Sequence, residues 1–335
     1  MDSQNRKYDP AGVACVVVTL LGWSSVLLFL RHLAPYIDGW SANGWRYGMC
    51  AGGLCPYLLI RQCRGHADWH LWRRAIVPSV FNCIGQTFFG FAVYYIEPGL
   101  AAFLLRVSLV SSTLGAFTLF ADERVLARSL LFWSGLSLIV IGSICTVAFS
   151  IHPVAGSSGF GMLLAAAAGG FFGLYGVSVR YFMRGVRPTD SFSAIATVTA
   201  LVMIGLMFWR SPTRGACVLD LSAMNTFWIV LSAVIGIAIG HIFYYAAIAR
   251  LGVAVAAAIV QLSPFFCSLG SIYLFGEVLT PGQWIAGAGM VFGASLLIRS
   301  EQRRGREAAP EGLAACPIEL EADVPARTIR VAKDI

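Results

Sequence analysis

LFGEVLTPGQWIAGAGMVFGASLLI, residues 274–298, places the carboxylate of Glu277 at the end of one apolar run, directly before a second run. The earlier stretch LFADERVLARSLLFWSGLSLIVIG, residues 119–142, has the same order of features, with Glu123 in the matching position. A pattern that recurs about half a chain later indicates an internal duplication. The two glutamates would then be one structural element in two copies.

The composition is that of a membrane protein. Of the 335 residues, 58% are hydrophobic and 12% are charged, against about 25% charged in soluble domains, and the mean hydropathy is +0.74. The net charge of +7 does not indicate nucleic-acid binding, because the basic residues separate apolar segments instead of clustering on one face. The nine cysteines contain no CxxC pair, so we expect neither a disulfide framework nor a metal site, and no cofactor is indicated.

Apolar runs of about 20 residues are long enough to cross a bilayer as a helix. They predict an all-α polytopic membrane protein with ten transmembrane helices, arranged as two five-helix repeats. The repeats occupy residues 11–149 and 159–299, between a cytoplasmic N-terminus (1–10) and a tail (300–335) that is predicted to be disordered. A regulatory or partner-binding tail remains the alternative. The ten helices are predicted at 11–30, 40–60, 75–95, 98–119, 129–149, 159–179, 189–209, 226–248, 251–274 and 282–298.

The distribution of Lys and Arg predicts the orientation. With a cytoplasmic N-terminus, the loops and ends on the inner side hold twelve basic residues before the tail is counted, and the outer side holds three, Arg31, Arg210 and Arg214. Cytoplasmic loops of membrane proteins carry the excess of basic residues. We therefore expect a multi-pass protein of the cell inner (plasma) membrane, with both termini in the cytoplasm.

The duplication can be aligned without a gap. Residues 84–120 match residues 239–275 at eleven positions, among them Gly85 with Gly240 and Phe88 with Phe243. Because each repeat has five helices, an odd number, the second copy would enter the membrane in the opposite orientation to the first. Inverted repeats around a site near the midplane are typical of secondary transporters.

Three segments resemble the EamA-type branch of the drug/metabolite transporter superfamily. They are LSPFFCSLGSIYLFGEVLTPGQWIAGAGMVFGASLL (262–297), the Trp45-Arg46-Tyr47 start of the second helix, and FFGLYGVSVRYFMR (171–184). The resemblance covers roughly residues 11–299 and implies a ten-helix secondary transporter of small solutes. It does not fix the solute, since members carry amino acids, sugars, nucleotide conjugates and drugs. Two features depart from the family pattern: the first half lacks an equivalent of Pro264, and Arg106 stands where a neutral residue is expected.

Polar side chains near the bilayer centre are costly and normally face a cavity or one another. The repeat pairs Gln86 with His241, Arg106 with Gln261, and Ser108 with Ser263. Side chains that recur at equivalent places would surround a pseudo-twofold axis, where the resemblance also implies a transport pathway. These six residues and Arg46 are therefore the predicted substrate-binding set, and Pro264 is a predicted hinge, because proline removes a backbone hydrogen bond.

The role of each ionisable residue has two interpretations. Arg106 could bind a carboxylate or phosphate through two parallel hydrogen bonds, or it could hold helices together through backbone carbonyls and hydroxyls. Arg46 matches the helix-2 arginine of the family, and snorkelling or a structural pair is an alternative to substrate binding. His241 could carry a coupling proton, although we favour a neutral histidine that forms hydrogen bonds in the cavity.

Other functional classes are less consistent with the sequence. A membrane enzyme finds its best support in His66 and His70, an i, i+4 pair that could hold a metal on a helix, but no second cluster completes a site. A structural protein would not need paired polar residues at the midplane. We therefore predict a carrier, not an enzyme, that exports a small polar metabolite such as an amino acid or organic acid. A carrier of nucleotide-linked or drug-like compounds is the alternative, and the partners are the solute and the lipid, with the chain a monomer or homodimer.

Overall fold

The computed structural model describes residues 9–96, 101, 104–149, 158–275 and 280–307. Glu277, the repeat partner of Glu123, lies outside these residues, as do residues 308–335 of the predicted tail. No strand occurs among the described residues. The helices are α1 (Pro10–Leu33), α2 (Gly39–Cys63), α3 (Leu71–Tyr95), α4 (Val107–Leu119), α5 (Leu130–Ala148), α6 (Gly159–Phe182), α7 (Pro188–Arg210), α8 (Ala223–Leu231), α9 (Gly240–Leu251), α10 (Val253–Val260), α11 (Ser263–Phe275) and α12 (Pro281–Glu307).

The helix starts follow signals in the sequence. Proline is the first residue of α1, α7 and α12, where its missing N–H costs no hydrogen bond. The carboxylate of Asp9 accepts a hydrogen bond from the N–H of Gly12 at 2.9 Å. Asp38 accepts from the N–H groups of Trp40 and Ser41 at 3.0 Å each. These side chains satisfy backbone donors that the first turn of a helix leaves free.

Seven described helices are long and apolar enough to cross a membrane, and two shorter apolar helices accompany them. The chain is therefore a multi-pass membrane protein. The predicted count of ten stays a prediction, because α2 is not among the seven and α4 has 13 residues. The seven spans are Pro10–Leu30, Leu71–Ala92, Gly159–Phe182, Pro188–Arg210, Ala223–Leu251, Val253–Gly270 and Pro281–Ser300.

Helices of the first half pack against helices of the second half. The pairs are α1 with α9, α2 with α7, α3 with α6, α4 with α10, and α5 with α12. In the α5–α12 pair the two backbones meet at glycines: a Cβ on Gly135 would lie 2.6 Å from the carbonyl oxygen of Gly293. Small residues at such an interface let two membrane helices approach closely.

Besides the turn at Leu105–Arg106 in the predicted helix 98–119, two predicted helices of the second half have interruptions that the hydropathy did not reveal. The predicted helix 251–274 is divided at Gln261–Leu262 into α10 and α11. The predicted helix 226–248 contains a π-helical stretch, Ser232–Ile239, between α8 and α9. In that stretch the carbonyl of Gly236 accepts a hydrogen bond from Trp23 Nε1 at 3.1 Å. Local departures of this kind free backbone groups for contacts with side chains.

The C-terminal boundary also differs from the prediction. The last helix was expected to end at residue 298, with a disordered tail from residue 300, but α12 continues to Glu307. The added residues, 301–307, are mainly Glu, Gln and Arg, which have high intrinsic helix propensity. A polar helical extension of this kind carries no apolar run, so hydropathy alone could not detect it.

Candidate functional site

A cavity of about 140 Å³ lies at the centre of the bundle, between the two halves. Its wall includes residues of α1, α2, α3 and α6, the interruption before α4, and the segments on both sides of Gln261. All seven residues of the predicted substrate-binding set line this one cavity: Arg46, Gln86, Arg106, Ser108, His241, Gln261 and Ser263. The structure therefore brings together side chains that the chain separates by more than half of its length.

The predicted pairs of the repeat are in direct contact in the cavity wall. Arg106 donates from Nη1 to Oε1 of Gln261 at 2.6 Å and from Nη2 to Oγ of Ser263 at 3.0 Å. Gln261 donates from Nε2 to Oγ of Ser108 at 3.1 Å. Under the repeat alignment, the contact of Arg106 with Ser263 and the contact of Gln261 with Ser108 are equivalent. Each half thus contacts the other through the same two positions.

These contacts lie at helix interruptions in both halves. The turn at Leu105–Arg106 precedes α4, and the turn at Gln261–Leu262 separates α10 from α11. Arg106 and Gln261 have nearly the same backbone geometry, φ −63° and ψ −16° against φ −65° and ψ −8°. Pro264, the predicted hinge, follows the second interruption by two residues. The hinge role itself stays a prediction.

Arg46 differs from Arg106 in its surroundings. It extends from α2 into the cavity wall and is 2% exposed. Its Nε and Nη1 atoms are buried and have no hydrogen-bond partner among the residues that the structure describes. Buried polar groups in proteins are normally hydrogen-bonded. The cavity therefore contains a guanidinium whose donors the described part of the chain leaves unused.

Aromatic rings form much of the remaining wall. On one side the ring of Trp23 lies 5.1 Å from that of His241 and 4.8 Å from that of Tyr244. On another side the rings of Phe89 and Phe172 lie 6.2 Å apart. All five residues line the cavity. The site combines two arginines with apolar ring surfaces, and no carboxylate is among its described lining residues.

His241 is held in one orientation by its neighbours. It is 4% exposed, and its Nδ1 lies 2.9 Å from the carbonyl oxygen of Ile237, which assigns the proton to Nδ1. Its ring stacks on that of Phe192, with centroids 4.8 Å apart and an interplanar angle of 12°. The other ring nitrogen, Nε2, is then the acceptor. This arrangement is consistent with the neutral histidine that the sequence analysis favours.

Glu123 closes one end of the bundle. Its side chain is fully buried, and its two oxygens accept hydrogen bonds from the N–H groups of Val253 and Ala254 at 2.9 Å each. It also accepts from Arg180, whose other terminal nitrogen donates to Asp122 at 2.5 Å. From the sequence, Glu123 is predicted only to end an apolar segment, whereas in the structure it caps the N-terminus of α10 in the other half. An anion suits the N-terminus of a helix.

Gly252 permits this close contact. Its φ of +83° lies in a region that side-chain-bearing residues rarely adopt, and a Cβ there would lie 2.8 Å from Nη1 of Arg180. A second cavity of about 320 Å³ adjoins this end and is lined by Arg180, Arg184 and Arg250 with Asp122. Glu123 therefore lies close to a second, basic cavity.

The opposite end of α1 leads to another carboxylate, Asp38. Its Oδ2 accepts hydrogen bonds from Oγ of Ser41 at 2.6 Å and from Oγ of Ser211 at 3.0 Å. Burial raises the pKa of Asp38, but the hydrogen bonds from Ser41, Ser211 and the N–H of Trp40 outweigh it and bring the pKa below its ordinary value. Asp38 thus joins α2 to the end of α7 as a carboxylate.

Several of these residues were missed by the sequence analysis. The aromatic wall carries no distinguishing signal, because Phe, Tyr and Trp make up 13% of the chain. Arg180 was not singled out, although it lies in the segment 171–184 that resembles the family's sixth helix. Of the rival metal pair, His70 lies on the surface with its Nδ1 3.0 Å from Asp68, and among the described residues no group of three His, Cys, Asp or Glu side chains could hold a metal ion.

Comparison with known proteins supports the interpretation of the second half. Residues 159–299 match the model of the EamA-like transporter family. This match supports membership of the drug/metabolite transporter superfamily. It bears out the family prediction for these residues, and the EamA-like match suggests a membrane transporter of small molecules.

The other comparisons concern the fold. One solved structure, described as "Crystal structure of protein", matches with a TM-score of 0.69 and 16% sequence identity, over 90% of this chain and 100% of that one. At this identity the match shows that the two chains share a fold, and no more. No curated protein matches the chain.

Proposed function

We propose that this protein is a secondary transporter that exports a small polar metabolite with an acidic group, such as an amino acid or an organic acid, by alternating access. One observation carries the proposal: a single central cavity is lined by two arginines and five further polar residues of the predicted set. Two guanidinium groups, with no carboxylate among the described lining residues, favour an anionic solute over a cationic one. The volume of about 140 Å³ favours a small one.

The proposed architecture is ten transmembrane helices in two inverted repeats, residues 11–149 and 159–299. The helix pairing supports this architecture. The first helix of each half packs on the third helix of the other half, and the second helices of the two halves pack on each other. The fourth helices of the two halves also pack on each other, as do the fifth helices. A twofold relation requires such reciprocal contacts. The interruptions at Arg106 and Gln261, 155 positions apart in the repeat alignment, also support it.

Alternating access requires that each end of the cavity open in turn. The contacts of Glu123 with Arg180 and with the start of α10 join both halves at one end. By the distribution of basic residues, this end faces the cytoplasm and both termini lie on the same side, in the inner (plasma) membrane. Opening of the cytoplasmic end would therefore need these contacts to separate.

The proposal is tested with the purified full-length chain in sealed proteoliposomes. A panel of radiolabelled amino acids, organic acids, nucleotide-linked compounds and cationic drugs is offered, and uptake is compared with empty vesicles. We expect saturable, counterflow-competent uptake of an acidic metabolite. Uptake of only cationic or nucleotide-linked compounds would instead indicate a carrier of nucleotide-linked or drug-like compounds. Chemical conversion of a compound in unsealed membranes would indicate an enzyme.

A further inference from the structure

We infer that Arg46, rather than Arg106, receives the anionic group of the solute, and that this solute is a carboxylate with a flat apolar body. The inference rests on the proposed transport function and deepens it by naming the chemical class. It assigns different tasks to the two arginines of the central cavity.

The first step is the difference in hydrogen bonding between the two guanidinium groups. Arg106 donates to Gln261 and to Ser263, and so joins the interruptions of both halves. Arg46 has two buried nitrogens, Nε and Nη1, without partners in the described part of the chain. A cation that already bridges two helix interruptions is a structural element of the wall, whereas Arg46 presents unused donors.

Burying the guanidinium of Arg46 without partners for Nε and Nη1 has a cost in free energy. Removing a charged group from water without giving it partners is strongly unfavourable. No described carboxylate forms an ion pair with Arg46. A planar guanidinium binds a carboxylate through two parallel hydrogen bonds. A bound carboxylate would therefore supply the partners that the described chain does not.

Aromatic rings in the cavity wall indicate the character of the rest of the solute. Trp23 uses its Nε1–H on the carbonyl of Gly236, and the hydroxyl of Tyr175 is hydrogen-bonded to that of Tyr245. These residues therefore offer the cavity their ring surfaces more than their polar atoms. Phe89 and Phe172 add rings without polar atoms. Flat apolar groups pack well against such surfaces.

The test measures stability and binding separately, on the purified full-length chain in lipid nanodiscs. The probe is 3-phenylpropanoate, with butanoate as the carboxylate without a ring and 3-phenylpropylamine as the ring without a carboxylate. For the unmodified protein we expect 3-phenylpropanoate to raise the melting temperature and to bind more tightly than either analogue. Equal or tighter binding of the amine, or of phenyl phosphate, would overturn the carboxylate assignment.

Two variants assign the arginine. Arg46→Gln should weaken binding of 3-phenylpropanoate about 10- to 100-fold, as expected for loss of charge-assisted hydrogen bonds, while leaving the melting temperature without probe unchanged or higher. The affinity of Arg46→Lys for 3-phenylpropanoate should lie between that of the unmodified protein and that of Arg46→Gln. Arg106→Gln should instead lower the melting temperature without probe, because Gln261 and Ser263 lose their donor.

The outcomes separate this inference from the proposed function. If Arg46→Gln lowers the melting temperature and still binds the probe as tightly as the unmodified protein, Arg46 is structural and the inference is wrong, while transport can still stand. If the probe binds through Arg46 but proteoliposomes move no solute from the panel, the inference holds and the transport function fails.

Discussion

The first half interrupts its fourth helix at Leu105–Arg106, and the second half interrupts the equivalent helix at Gln261–Leu262, although only the second half has a proline nearby. Proline removes a backbone hydrogen bond and is a common cause of such interruptions. Here the half without proline is interrupted within one residue of the aligned position, and the shared residues Arg106 and Gln261 have nearly the same backbone angles. What the two interruptions share is the network of Arg106, Gln261 and the two serines. We therefore expect polar contacts across the cavity, more than proline, to set the shared geometry.

The repeat suggests substitutions that make one half imitate the other. The largest expected effect is that of Arg106→Gln, which gives the first half the glutamine of the second. Transport of an anionic solute should fall at least about tenfold, because two hydrogen bonds from a charged donor, each worth about 1.5–3 kcal/mol, are lost. Arg106→Lys should restore only part of it, since lysine lacks the planar fork. Flux is measured in proteoliposomes that contain matched amounts of folded protein; unchanged transport by Arg106→Gln would show that the asymmetry has no function.

His241→Gln makes the second half imitate Gln86 of the first. It removes a titratable group and retains hydrogen-bonding capacity. We expect His241 to be neutral, because its Nδ1 already bonds the carbonyl of Ile237 and its ring stacks on Phe192. In the variant, the net flux driven by a pH gradient and the exchange of solute should then either both decrease or both stay unchanged. Both are measured on the same vesicles. Selective loss of the flux driven by the pH gradient, with exchange intact, would contradict this and assign the coupling proton to His241.

Pro264→Leu gives the second half the residue of the first, since the alignment pairs Pro264 with Leu109. If the polar network sets the interruption, transport should stay within about threefold of the original and the free energy of unfolding should change by less than about 1.5 kcal/mol, a typical size for a single substitution. Thermal unfolding and flux are the measurements. If the variant folds but no longer transports the solute, Pro264 would be needed for transport, as expected for the hinge that the sequence predicts.

Cysteine labelling tests the opposed orientation of the two halves. It uses cysteines that the chain already has, so we expect the smallest effect on the protein. The orientation predicted from the basic residues places Cys63 inside and Cys217 outside, and both lie in or beside connecting segments. An impermeant thiol reagent added to intact cells should label Cys217 and not Cys63. Since Cys217 is half-buried, Asp220→Cys at an exposed position of the same segment serves as a positive control. Labelling of Cys63 instead would reverse the orientation.

The sequence predicted those features that depend on single residues or on residue pattern. Asp9 and Pro10 mark the start of α1, and apolar length locates most spans within a few residues. The polar residues of the cavity were found because each is conspicuous in an apolar helix, and because the repeat pairs them.

Other features depend on contacts that no pattern along the chain contains. The rings of Trp23 and Tyr244 are ordinary aromatic residues until α1 and α9 pack together. The role of Glu123 depends on two backbone N–H groups in the other half of the chain. The missing partners of Arg46 are a property of the assembled wall, so the sequence could not separate its task from that of Arg106.

The two ends of α10 are both attached to the segment that contains α4. Its N-terminal N–H groups bond Glu123, which follows α4, and its C-terminal residue Gln261 bonds Arg106, which precedes α4. In mechanical terms, α4 and α10 are two rods joined at both ends, an arrangement that resists sliding. If the joint at Glu123 separates while the joint at Arg106 holds, the rods can only pivot about the remaining joint. The motion would then be a rotation centred on the cavity wall, with its largest displacement at the Glu123 end.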